Sequence, residues 1–331
     1  MTSRNVVRHF QLPERSLKLV AGAVFAALAL VLSACSSAEP ESPNDSPAPT
    51  SQPETPSEAI ADIAQDLDAP WSIAFYEDTP LVSERDSGRV LELRPRDGTY
   101  EPRELGTIDE VSASGEGGLL GLAVKDQYLY AYFTSSNDNR IERYELRGDV
   151  GSLSLGRAES ILKGIPKAGN HNGGRIAFGP DEKLYVTTRD AGDRSTSQNR
   201  ASLAGKILRL EPDGSIPSDN PFNNSPVFSY GHRNPQGIAW DEDGTMYASE
   251  FGQNTWDELN VIKAGSNYGW PTVEGIAENR DFNDPAQQWE PSKASPSGIA
   301  IVGESIFIAN LRGSRLREVP LDDPSNSTEH F

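Results

Sequence analysis

"GRIAFGPDEKLYVTTRD", residues 174–190, reads as a short apolar strand, a polar turn at 179–182, and a second strand that ends on an arginine and an aspartate. Two such runs joined by a turn form a hairpin. The same pair recurs along the chain. First runs stand at "WSIAF" (71–75), "LLGLAV" (119–124), "QGIAWD" (236–241) and "SGIAIV" (297–302), and their second runs are "PLVSERD", "YLYAYFT", "TMYASEFG" and "SIFIANLRG". A third, alternating run completes each copy: "GRVLELR", "NRIERYEL", "GKILRLE", "DELNVI" and "SRLREV". With Ile73, Leu122, Ile176, Ile238 and Ile299 as equivalent positions, the copies lie 49, 54, 62 and 61 residues apart. In several copies a fourth run leads to the next, as in "ESILKGI" and "PVFSYG".

Three or four short antiparallel strands with Gly and Asp-Gly turns make a small sheet whose faces only its neighbours can cover. Stacked radially, such sheets form a β-propeller, so the fold class is all-β. No window of 12 or more residues after position 68 sustains a helical apolar stripe. A β-sandwich would not require the same trio at near-constant spacing. Five units are legible, the fifth breaking off in "VPLDDPSNSTEHF". An open ring leaves unpaired edges, so about one further blade is expected beyond these five.

The first 34 residues carry Arg4, Arg8, Arg15 and Lys18 against Glu14, followed by the apolar run 19–32 and "LSAC" ending at Cys35. That run is short for a bilayer span and reads as an export signal. "LSAC" resembles a bacterial lipobox, which makes Cys35 the expected lipidation site and predicts an exported lipoprotein, anchored to the outer face of the cell membrane or in the periplasm. Cys35 is the sole cysteine, which rules out an internal disulfide or a thiolate zinc site. Residues 36–58 are Pro, Ser and acid without apolar periodicity, a disordered tether. The propeller is therefore expected over 59–331. The whole chain has 30 Lys and Arg against 49 Asp and Glu, a net charge of −19, which repels phosphate backbones and argues against a nucleic-acid partner.

In a propeller the first strand of each blade lines the central channel, and the residues just before those strands gather at one mouth of it. Here they are 69–71, Gly115 and Glu116, Asn170 to Asn172, Gly231 to Asn234, and 294–296. His171 and His232 take the same place in adjacent copies, five and six residues before Ile176 and Ile238, which favours a site. Asp190 ends the second strand of the His171 copy, where it either holds the imidazole as a base or caps the turn "RDAGD". Glu116 and the histidines could bind a metal, yet Arg233 beside His232 suits an anionic, planar ligand better. The Gly clusters lack the strand–helix setting of a nucleotide loop.

"NHNGGRIAFGPDEKLYVTTRDAGD" and "YGHRNPQGIAWDEDGTMYASEFGQNTWDELNVIKAGSNYGWP" resemble the glucose/sorbosone dehydrogenase group, soluble sugar dehydrogenases that depend on pyrroloquinoline quinone (PQQ), including periplasmic aldose dehydrogenases. The similarity continues, more loosely, from about residue 66 to 320. It implies a six-bladed propeller, of which this chain carries about five blades, with PQQ and calcium (Ca2+) over the channel mouth. It also implies oxidation of an aldose at its anomeric carbon to a lactone, with electrons passed to an external acceptor. By position, His171 is the base and Asp190 its orienting partner, while Arg233, Asn234 and Arg312 contact the cofactor. Glu116, where the family commonly has glutamine, and Asp257 fall near the substrate, and the loop at Gly252 and Gln253 supplies main-chain ligands to calcium. No segment matches the Arg-x-Arg clamp of the family's last blade, so either the sequence is part of a longer one or PQQ binding is weak. Two other readings are a calcium-dependent propeller lactonase and a noncatalytic tethered binding protein. Trp289 either walls the sugar or packs beneath its loop.

Overall fold

The computed structural model describes residues 5–9 and 61–330 other than 171. Residues from Ile63 onward belong to one compact body, and Arg8–Asp62 forms a separate unit lying almost entirely outside the described residues. Apart from a short strand at Asn5–His9, the leader with Cys35 and the tether also lie outside them, as does His171.

Among the described residues the body is a β-propeller arrangement of five blades. From the channel outward, blade 1 consists of Pro70–Tyr76, Thr79–Glu84, Arg89–Arg96 and Thr99–Thr107, with Ala61–Leu67 added in parallel through Ala64 opposite Tyr100. Blade 2 runs antiparallel from Leu119–Lys125 to Ser154–Ile165, and blade 3 from Ile176–Phe178 to Val227–Tyr230. Blade 4 runs from Pro235–Trp240 to Gln287–Trp289, and blade 5 from Pro296–Val302 to Thr328–His330. The strand trios of the sequence repeat are the inner three strands of each blade, and the first of each trio lines a central channel of about 340 Å³.

The near-continuous apolar second strands explain how the blades hold together. Side chains alternate across a strand, so a run buried on both faces divides itself between two neighbours. In Tyr128–Thr134, Leu129, Ala131 and Phe133 enter a cluster with Leu81 and Val90 of blade 1, whereas Tyr130 and Tyr132 enter one with Leu184 and Val186 of blade 3. The pattern repeats outward: Tyr185 packs with Met246 and Ala248 of blade 4, and Tyr247 with Ile306 and Ile308 of blade 5. The core is thus a series of inter-blade layers, each shared by one pair of sheets. Trp289 belongs to the last layer, under the Arg317 guanidinium at 4.9 Å from its ring centre, and so packs within the fold.

One loop in blade 3 departs from the hairpin scheme. Between its second and third strands the chain makes a 3-10 turn at Arg194–Ser197, capped by Asp193, and folds back over the fully buried Lys206. Lys206 Nζ donates to the carbonyls of Thr196, Ser197 and Ala204 at 2.8, 3.0 and 2.6 Å, which uses all three of its protons. Burial pulls its pKa down to about 7, and the three carbonyls favour the charged form. The lysine fixes the loop that backs the turn after Asp190.

Because Phe133 is fully buried in the layer between blades 1 and 2, Phe133→Ala is expected to lower the unfolding free energy by about 3–5 kcal/mol. Equilibrium urea denaturation checks this.

Candidate functional site

A cavity of about 570 Å³ opens at one mouth of the channel, and every blade contributes to its wall: Trp71 from blade 1, Glu116 ahead of blade 2, Arg189 from blade 3, Phe251 from blade 4 and Leu311 from blade 5. Backbone constraints place these groups. Gly115, at φ +60°, brings the Glu116 loop so close to the next blade that a Cβ there would lie 1.9 Å from the Gly169 carbonyl oxygen. Glu116 N donates to that same carbonyl at 3.0 Å. The segment that follows position 171 is pinned by Asn172. Its Oδ1 accepts from Ala168 N and Asn139 Nδ2, its Nδ2 donates to the Ala168 carbonyl, and its own carbonyl accepts from the Tyr132 hydroxyl at 2.8 Å. Asn172 and Gly173 line the cavity.

Asp190 is buried behind this wall. Its Oδ2 accepts from Trp270 Nε1 at 2.9 Å, its Oδ1 accepts from Gly192 N at 3.0 Å within the turn, and its own amide donates to the Arg233 carbonyl at 3.1 Å. The blade 3 and blade 4 segments singled out in the sequence are therefore bonded directly to each other. The Arg233 guanidinium lies 5.6 Å from the Trp270 ring centre and donates to the carbonyls of Phe251 and Gly252. Burial lowers its pKa, while Asp190, Glu250, Glu274 and Asp257 favour its charged form.

His232 does not face the cavity. It is fully buried, its Nε2 2.8 Å from the Ser229 hydroxyl and its Nδ1 2.9 Å from Glu250, with its ring stacked on Tyr268. Both nitrogens are used, which makes it a structural histidine. Glu250 also accepts from the backbone amides of Arg233 and Asn234 through its other oxygen, and so sets the whole turn. Asn234 is buried. Its Oδ1 accepts from Gln236 at 2.7 Å, whereas its Nδ2 has no acceptor among the described residues. Beneath the mouth, Arg175 donates from Nε to the Gln236 carbonyl at 2.9 Å and from Nη1 to the Ser72 hydroxyl at 3.1 Å, and its guanidinium lies 4.3 Å from the Trp71 ring centre.

The loop 251–256 turns its amides one way and its carbonyls the other. Gln253, Asn254, Thr255 and Trp256 all donate backbone N–H to one oxygen of Glu274, at 2.5–3.3 Å. Burial raises the Glu274 pKa, but these four donations outweigh it and hold the carboxyl below its ordinary value. In a planar peptide the C=O points opposite to the N–H that follows it. The Gly252 and Gln253 carbonyls therefore point away from Glu274, and the Gly252 oxygen meets Arg233. Asp257 is buried beside this loop, accepting from Gly252 N at 2.8 Å and Ser295 N at 2.6 Å, and burial raises its pKa. Arg312 is exposed and lines a neighbouring cleft with Gln253 and Glu290 rather than the main cavity.

Several contributors escaped the sequence reading. Glu250 and Trp270 sit inside the densest matching segments but give no periodic signal. Arg189 offers one, a charge at the end of the strand run "LYVTT". Its Nη1 donates to Glu116 Oε2 at 2.7 Å, and burial lowers its pKa.

A second carboxyl faces Glu250 across the sheet. Glu258 is its cross-strand partner, and burial first, then the Glu250 charge, raises the Glu258 pKa. A raised carboxyl contributes stability that is full below its ordinary pKa of 4.5 and lost as pH rises through the raised value. Urea unfolding at pH about 5 and about 9 is expected to show wild type weaker at the higher pH, and Glu258→Gln less sensitive to the change.

Residues 67–330 match the family described as glucose/sorbosone dehydrogenase. The chain is 48% identical to an aldose sugar dehydrogenase of Streptomyces coelicolor solved in a PQQ-bound form, with a TM-score of 0.77 over 81% of this chain and 83% of that one. It is 32% identical to quinoprotein glucose dehydrogenase B of Acinetobacter calcoaceticus over 66% of this chain, a match that spans only 54% of that enzyme. It is 31% identical to the aldose sugar dehydrogenase YliI of Escherichia coli over 71% of this chain and 68% of that one. A five-blade arc with a polar mouth, and a family match over nearly all of that arc, place the chain in the glucose/sorbosone dehydrogenase family.

Proposed function

We propose that the protein is a PQQ- and calcium-dependent dehydrogenase that oxidises an aldose at its anomeric carbon to a lactone. The observation that carries this reading is the direct bond between the two chemistry-bearing segments, Asp190 N to the Arg233 carbonyl, at the edge of a cavity walled by all five blades. The donors suit the cofactor. PQQ is a flat quinone bearing carboxylates, and Arg233 offers a fixed cation beside Asn234, whose buried Nδ2 has no acceptor among the described residues. The Gly252 and Gln253 carbonyls are neutral hard oxygens, appropriate to calcium. The lactonase alternative needs side-chain ligands instead, and among the described residues no three His, Cys, Asp or Glu side chains gather to hold a metal.

When bound, PQQ supplies an acceptor for the hydride of the sugar C–H bond. The protein's share is proton handling and placement. His171 takes the anomeric hydroxyl proton, which makes departure of the hydride favourable. Asp190, fixed by Trp270 and Gly192, orients that base. Arg233 and Asn234 would hold the cofactor, the cation favouring negative charge beside it. Trp71 gives the sugar an apolar face to lie on. The lipidated Cys35 keeps the enzyme at the outer face of the cell membrane or in the periplasm, where an external acceptor collects the electrons.

The test is a titration of the full chain with PQQ in the presence of calcium, followed by dye reduction with a panel of aldoses. Saturable uptake and aldose-dependent reduction are expected, and His171→Gln is expected to lower kcat by about 100-fold or more while leaving PQQ uptake in place. Failure to take up PQQ, or unchanged turnover in the variant, overturns the reading.

A further inference from the structure

The reaction as proposed leaves Arg189 without a task. Of the three charged side chains among the described residues that line the cavity, it is the most deeply buried, with 3% of its side chain exposed against 32% for Arg85 and 54% for Glu116. Its Nη1 is engaged by Glu116, and its Nε has no acceptor among the described residues. Nη1 and Nη2 form the end-on pair of donors whose spacing matches the two oxygens of a carboxylate, and Glu116 engages only Nη1 of that pair.

Two further features point the same way. Among the described residues the lining carries Arg85 and Arg189 against Glu116 alone, with Arg85 already paired to Asp86, which leaves Arg189 and Glu116 as the charge pair a guest meets. The Glu116 side chain is half-exposed and can turn toward solvent about its pinned backbone, while Arg189 is fixed at the end of a strand. The pair is thus a rigid cation with a movable counter-ion.

We propose that Arg189 is the carboxylate-binding residue of the cavity, and that the Glu116 carboxylate holds the place of a guest's carboxylate, which displaces it. The inference rests on the dehydrogenase reading for its two candidate guests. One is a sugar acid such as an aldouronic acid, which would make uronates a preferred substrate class. The other is the cofactor, which carries carboxylates of its own.

The test begins with the full chain free of PQQ, titrated with glucuronate and with glucose while the fluorescence of Trp71 in the cavity wall is followed. If the guest is a sugar acid, the wild type binds glucuronate about tenfold more tightly than glucose. Arg189→Gln then brings the two sugars level, and Glu116→Gln, which removes the competitor, tightens glucuronate severalfold while leaving glucose within about twofold. If the guest is the cofactor, Arg189→Gln weakens PQQ uptake about tenfold and Glu116→Gln strengthens it, with neither sugar affected. Either pattern supports the proposal, and thermal melting of Arg189→Gln confirms that the variant is folded. Unchanged affinities for glucuronate, glucose and PQQ in both variants overturn it. The dehydrogenase reading fails separately: a wild type that takes up no PQQ yet discriminates the two sugars loses that reading and keeps the anion site.

Discussion

The guanidinium of Arg175 lies where three sheets meet and belongs to only one of them. It rests over Trp71 of blade 1, donates to Ser72 of the same blade, and donates again to the Gln236 carbonyl of blade 4. Inter-blade layers join each sheet to the next, but they do nothing to set the distance between blades that are not neighbours. Arg175 does so at the channel, where the inner strand of its own blade is only three residues long. Burial pulls its pKa down to about 10, which still leaves it charged near neutral pH. Both ends of the cavity follow from this placement, since Trp71 walls it and the Gln236 side chain steadies Asn234.

Around the mouth, buried and half-buried acids act as holders of backbone. Glu250, Asp257 and Glu274 spend their oxygens mainly on amide N–H groups of the turns that carry Arg233, Asn234, Gly252 and Gln253. An ionised carboxylate accepting several amides is among the stronger local restraints available to a loop. The result is a mouth of arginines, amides and carbonyls in which Glu116 lines the cavity, while Glu250, Asp257 and Glu274 turn inward to keep the rest in register.

The propeller was legible in the sequence because its cause is periodic. Apolar runs such as "YLYAYFT" must face two neighbours, and that demand imprints the same trio at each blade. The site was legible only in part, because burial of a polar group leaves no period. His171 and His232 occupy equivalent positions, yet His232 is consumed by Ser229, three residues before it, and by Glu250, eighteen residues after it, contacts that no period in the sequence displays. Asp257 likewise reads as an acid in a functional loop and proves to be tied to two amides. Arg189 was visible as a charge at the end of an apolar strand, but its meaning depends on Glu116, 73 residues earlier in the chain. Pairings across blades are written in three dimensions, and a single sequence does not display them.

The layered core has a mechanical corollary. Each layer couples one sheet to the next, so the arc resembles a chain of hinged links, and strain at one joint is felt weakly at the far end. The mouth, like the channel beneath it, draws on all five links at once. A molecule seated there works as a clasp: its affinity is lost whenever any joint opens, so occupancy reinforces every joint together and makes melting more nearly all-or-none.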